Sequence, residues 1–212
     1  MMLRIENNHL MFEDKELCSI KGKKAFMFDL DGTLADTMTA HDKAYELAFS
    51  LNGIFFDIEE HEKYAPLGGK VLMEETVVKK GHPDKVKDII RDKQELLPVC
   101  LRKFMTPNEG LVKLVRDLYK HHNVKLAVVS NGRKNSVHEV LRQLQIIHCF
   151  DYITHSEILG QAKPSPEAYN YTMLMLGVKP EECIVFEDNQ VGFDSALAAG
   201  IEDVVEVTYD RD

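Results

Sequence analysis

The 212-residue chain has no Cys-x-x-Cys pair; Cys18, Cys100, Cys149 and Cys183 stand far apart. That scatter argues against a disulfide framework or a cysteine-rich metal site and fits buried thiols in a reducing compartment. The N-terminus has no apolar stretch of signal-peptide length, and no segment approaches membrane-spanning length. A cytoplasmic protein with no membrane partner is expected, so the sequon Asn170-Tyr171-Thr172 carries no weight. Excess positive charge is also missing. A net charge of −9 argues against a nucleic-acid or anionic-membrane surface, both of which need a basic patch. There is no internal repeat and no low-complexity segment.

What is there is ordinary in bulk and unusual in places. Hydrophobic residues make up 44% and charged residues 29%, enough for a soluble chain with a real core. The length suits one large domain, or one domain carrying a smaller insert. The stretch Ala25-Phe26-Met27-Phe28 runs unbroken into Asp29-Leu30-Asp31-Gly32-Thr33. A short continuous apolar run bounded by polar residues reads as a strand buried on both faces of a parallel sheet. Asp29 then stands at its carboxyl end, where open α/β sheets hold their ligands. Two carboxylates so close in sequence repel unless a cation or a shared proton relieves them.

Residues 1–22 are mixed and mostly polar, and no element is assigned to them. Residues 36–52 read as a helix, with Ala44, Leu47, Ala48 and Leu51 at helical spacing. A second helix is expected around 71–78 and a third over about 84–97, so that 36–105 forms an all-helical insert. From residue 106 helix and strand alternate. Helices are expected over 108–121, after Gly132, over 166–176 (with Ser165 as N-cap) and over 191–199. Strands are expected over 124–129, 150–153, 183–186 and 204–207. This alternation predicts an α/β fold: a Rossmann-like, doubly wound parallel sheet with helices on both faces.

In such a sheet the chemistry gathers at one end. The first strand delivers Asp29 and Asp31, the second Ser130 and Asn131, and the fourth Glu187 and Asp188. Lys163 lies in Lys163-Pro164-Ser165-Pro166, ahead of the helix that leads to the fourth strand. Carboxylates for a hard cation, a hydroxyl, an amide and an ammonium make a coherent set for phosphoryl transfer. Each part has a plainer reading alone: a turn or cap for the aspartates, a loop for Ser130-Asn131-Gly132, a solvated lysine for Lys163.

Taken in order, the four motifs Asp29-Leu30-Asp31-Gly32-Thr33, Val128-Val129-Ser130-Asn131-Gly132, Lys163-Pro164-Ser165-Pro166 and Phe186-Glu187-Asp188-Asn189-Gln190-Val191-Gly192 resemble the haloacid dehalogenase superfamily, in its β-phosphoglucomutase and phosphatase branch. The resemblance spans about residues 24–207. It implies a catalytic core of 1–35 and 106–212, with 1–22 as an N-terminal extension, and a helical cap over 36–105. By the same resemblance Asp29 is the nucleophile that forms an aspartyl-phosphate, and Asp31 is the acid and then the base. Mg2+ is held by Asp29, the Asp31 carbonyl, Asp188 and Glu187. Ser130 and Asn131 bind phosphate, and Lys163 supplies positive charge to the transferring group. His41 matches in position a histidine of the mutase branch, and Lys70 lies in the loop through which a cap reaches substrate.

The implied protein is a Mg-dependent phosphatase of a small phosphorylated metabolite, such as a sugar phosphate, and a monomer. A phosphosugar mutase is the nearest alternative, but the mutase branch carries Gly-x-Ser-Arg where this chain reads Gly69-Lys70-Val71-Leu72. A non-catalytic metabolite-binding protein of the same fold is the alternative of another class. Asp31 argues against it, because a binding module has no use for a second acid.

Overall fold

The structure is a computed structural model that describes residues 3–6, 9–13, 15–64 and 69–208. The chain divides into two compact units, Met1–Asp36 with Thr106–Asp212, and Thr37–Met105. No helix among the described residues is long and apolar enough to cross a membrane.

In chain order the first unit opens with β1 (Leu3–Glu6), β2 (His9–Phe12) and β3 (Lys15–Ser19). They form an antiparallel sheet in the order β1-β2-β3. No element was expected here, because the strands are short and their sequences mixed. Burial decides it: Leu10 is fully buried, and β1 packs against the later helix Glu109–His121.

Next come β4 (Ala25–Phe28), whose four residues are all buried, and β5 (Ala35–Asp36). After the excursion into the second unit, β6 (Thr106–Pro107) returns and pairs antiparallel with β5. The chain thus leaves and re-enters this unit through one two-stranded ribbon. The remaining strands are β7 (Lys125–Val129), β8 (Tyr152–Thr154), β9 (Cys183–Glu187) and β10 (Val204–Glu206). The main sheet is β10-β9-β4-β7-β8, with every pair parallel.

Alternation along β4 divides its side chains between the two faces of the sheet. Ala25 and Met27 join a core with Ala127, Val129, Val185, Tyr169, Met173 and Ala196. Phe28 stacks on Phe186 at 4.7 Å and meets Phe150 edge-on at 6.2 Å. Burying each such large apolar side chain contributes roughly 1.5–3 kcal/mol, so the strand that carries Asp29 is among the most firmly held in the sheet.

The helices of the second unit are α1 (Met38–Leu51), α2 (Ile58–Tyr64), α3 (Gly69–Met73) and α4 (Val86–Phe104); those of the first are α5 (Glu109–His121), α6 (Lys134–Gln143), α7 (Glu167–Leu176) and α8 (Gln190–Ala198). In the second unit α1 packs along α4 around Ala48, Phe49, Leu72, Val77 and Ile89. Three features of this unit depart from the sequence reading. The short polar helix α2 was not anticipated. The helix expected around 71–78 is α3 followed by a π-helical turn over Glu74–Val78. The third helix continues through Pro98 to Phe104, because Cys100 and Leu101 beyond it are buried. In the first unit, Ser165 is not the cap expected of it. The N-cap of α7 is Pro166, and Ser165 Oγ accepts the Glu167 N–H at 3.3 Å.

Candidate active site

Asp29 continues β4 by one residue, its N–H donating to the Phe186 carbonyl at 3.0 Å. The chain then turns sharply: Gly32 takes φ +90°, and its N–H donates to Ala35 O at 2.8 Å. A Cβ on Gly32 would sit 2.1 Å from Asp188 Oδ2, so glycine there lets the Asp188 carboxylate approach the aspartate loop. At the end of β7, Ser130 donates its N–H to Thr154 O at 3.1 Å, and Ser130 Oγ accepts the Gly132 N–H at 2.9 Å. Asn131 ties this loop to the next motif, its Oδ1 accepting the Lys163 N–H at 2.9 Å.

Lys163 is the centre of the cluster. Its buried ammonium donates to Asp29 Oδ1 at 2.7 Å, Glu187 Oε1 at 2.6 Å and Val129 O at 2.7 Å. An ammonium has three protons, and all three are used. Glu187 Oε1 also accepts the hydroxyl proton of Tyr169 on α7. The other oxygen, Oε2, is buried and has no hydrogen-bond partner among the described residues. It lies where a side chain on Gly192 would be, 2.0 Å from the position of a Cβ.

Burial pushes the Asp29 carboxyl well above the usual range, with Lys163 opposing and Glu187 adding to the shift. Burial also raises Glu187, against the pull of Lys163, and it raises Asp188. For Lys163 burial acts downward, but Asp29 and Glu187 outweigh it, and the ammonium ends above its ordinary value. Lys163 is therefore charged, and the three carboxyls around it have too little positive charge to ionise together easily.

Those three carboxyls, of Asp29, Glu187 and Asp188, each offer an oxygen within 4.8 Å of the others. An all-oxygen, anionic donor set with one oxygen buried and unpartnered fits a hard divalent cation such as Mg2+. The Asp31 carboxylate is outside that group. Its Oδ2 lies beside the loop after β7, 3.5 Å from where a Cβ on Gly132 would be.

The structure thus brings Asp29, Asp31, Ser130, Asn131, Lys163, Glu187 and Asp188 together at the carboxyl ends of β4, β7 and β9. His41 and Lys70 belong to the helical unit. There His41 Nδ1 lies 3.1 Å from Lys93 Nζ, while the side chain of Lys70 is outside the described residues. Sequence reasoning missed Tyr169, which reads as one more apolar position on α7, and it placed Gly192 in the fourth motif without showing that the glycine makes room for Glu187.

Known proteins resemble this chain over most of its length. The family model for haloacid dehalogenase-like hydrolases matches residues 26–205. A phosphorylated carbohydrates phosphatase of Thermotoga maritima is 28% identical over 190 residues, covering 88% of this chain and 86% of that protein. The β-phosphoglucomutase of Bacillus subtilis is 29% identical over 187 residues, covering 84% and 80%. The crystal structure of CbbY from Rhodobacter sphaeroides with phosphate superimposes with a TM-score of 0.76 at 27% identity, covering 89% and 88%. The chain belongs to the haloacid dehalogenase-like hydrolases, in their phosphoglucomutase- and phosphatase-like branch.

Proposed function

We propose that this protein is a phosphohydrolase of small phosphorylated metabolites, sugar phosphates among them, working through an aspartyl-phosphate on Asp29. The observation that carries the reading is the buried Asp29 carboxylate, pinned through Oδ1 by Lys163 at the end of the central strand. With Oδ1 held, Oδ2 is the oxygen directed to phosphorus. It forms the new P–O bond as the bond to the leaving oxygen breaks, and Asp31 gives that oxygen its proton. Asp31, now a carboxylate, takes a proton from water, whose oxygen attacks phosphorus and releases phosphate and Asp29. Ser130, Asn131 and the amides of their loop orient the phosphoryl oxygens. The fixed charge of Lys163 beside Asp29 offsets negative charge that builds up in transfer.

Mg2+ would be held by Asp29, the Asp31 carbonyl, Asp188 and Glu187, and when bound it supplies the positive charge that lets an anionic nucleophile meet an anionic phosphate. The raised carboxyl pKa of Asp29 supports this need, since a neutral acid is a poor nucleophile. We assign the catalytic machinery to the unit of the parallel sheet and substrate selection to the helical unit, through His41 and Lys70.

The test is phosphate release from a panel of sugar and other metabolite phosphates, with and without Mg2+, for wild type and Asp29→Asn. Mg-dependent release is expected, and it should fall at least about 10³-fold in the variant. Undiminished release by Asp29→Asn would overturn the reading. Isomerisation of glucose 1-phosphate with a bisphosphate primer, in place of release, would make the protein a mutase.

A further inference from the structure

We infer that Tyr169 is a positioning residue for this reaction: its hydroxyl, together with the bare α-carbon of Gly192, fixes the Glu187 carboxylate and through it Lys163. The inference rests on the phosphohydrolase reading and adds a residue to it.

Tyr169 is fully buried in the first turn of α7, and its hydroxyl donates to Glu187 Oε1. A tyrosine buried this deeply needs a partner for its O–H. Here the partner is the oxygen that also accepts Lys163 Nζ at 2.6 Å. The Lys163 ammonium lies 5.4 Å from the centroid of the Tyr169 ring, so one side chain touches both members of the ion pair. On the other side, the carboxylate fills the space beside Gly192, where any Cβ would meet Oε2 at 2.0 Å. The carboxylate is therefore held on two sides. Oε1 has its full complement of donors, and Oε2 is the oxygen left over for a cation.

Removing the hydroxyl leaves Lys163 as the only side-chain donor to Oε1 among the described residues. The carboxylate is then free to turn toward the ammonium, which takes Oε2 out of line and draws Lys163 away from Asp29. The site would keep its residues and lose its alignment, and small misplacements in such a site are costly to rate. A phenylalanine retains the packing of the ring, so the hydroxyl can be examined alone.

The experiment compares wild type, Tyr169→Phe, Glu187→Gln and the double variant. Mg2+ affinity of each apo protein is measured by titration calorimetry, and kcat and KM are measured with p-nitrophenyl phosphate. Thermal melting checks that each variant is folded. For Tyr169→Phe we expect about tenfold weaker Mg2+ binding and a kcat lowered about tenfold, with KM little changed. In the Glu187→Gln background the same substitution should add less than twofold, because its effect passes through Glu187. Mg2+ affinity and kcat of Tyr169→Phe within twofold of wild type would overturn the inference. So would an equal loss in both backgrounds. A wild type that neither binds Mg2+ nor releases phosphate would bring down the phosphohydrolase reading first, and the role of Tyr169 with it.

Discussion

Lys163 has three ammonium protons and three acceptors, two of them carboxylates that burial alone would keep neutral. Its motif marked it out, but its geometry was hidden, since the residues it joins lie 134 and 24 positions away. With all its protons used inside the protein, Lys163 would contribute to the proposed phosphoryl transfer as a fixed charge beside Asp29. Replacing it by methionine keeps most of the length and removes the charge. Asp29 and Glu187 would then be buried acids with no counter-ion. We expect Lys163→Met to cost roughly 3–5 kcal/mol, as breaking one side of a buried pair does, with turnover lost as well. Urea unfolding of the metal-free protein measures the first effect, and unchanged stability would mean that the two acids are simply protonated at no cost.

At the scale of elements, what was legible in the sequence was whatever the main sheet buries completely. The strands β4, β7 and β9 are continuous apolar runs, and each ends at a motif, so both strand and site residue could be read. The three-stranded N-terminal sheet was not legible, because its strands mix polar and apolar residues, and β2 and β3 are only partly buried where β4, β7 and β9 are almost wholly so. The helix α2, with sequence IEEHEKY, has too little apolar periodicity to announce itself. Tyr169 hid for the opposite reason: it fits the apolar face of α7, and nothing local says that its hydroxyl has a carboxylate to meet. The third helix of the insert was expected to end at about residue 97, just before Pro98, yet α4 continues past the proline to bury Cys100 and Leu101. A proline inside a helix costs about 3 kcal/mol or more in isolation, and it recovers part of that by restricting the unfolded chain. Pro98→Ala should therefore raise stability by about 1–2 kcal/mol, seen as a higher urea midpoint with an unchanged slope. A lower midpoint would show that the proline ring contributes packing that outweighs the missing hydrogen bond.

At the scale of the whole molecule, the site has no local existence. Its carboxylates come from the ends of β4 and β9, its Ser130-Asn131-Gly132 loop from β7, and its lysine from the approach to α7, so it forms only when the strand order β9-β4-β7 is in place. A cation held there binds the folded sheet and not the open chain, and it must raise stability by mass action. At a free concentration 100 times its dissociation constant the gain is about 2.7 kcal/mol. The chain also carries a net charge of −9, so any salt relieves some general self-repulsion. The two effects separate by design. Melting temperatures are compared in EDTA, in Mg2+, and in sodium chloride of matched ionic strength, for wild type and Asp188→Asn. Site binding predicts a rise with Mg2+ beyond that with sodium in the wild type, and loss of most of that excess in Asp188→Asn, whose neutral amide is a weaker ligand. An equal rise in both proteins would assign the effect to screening over the whole surface and would leave the Asp29, Glu187 and Asp188 cluster without its ion.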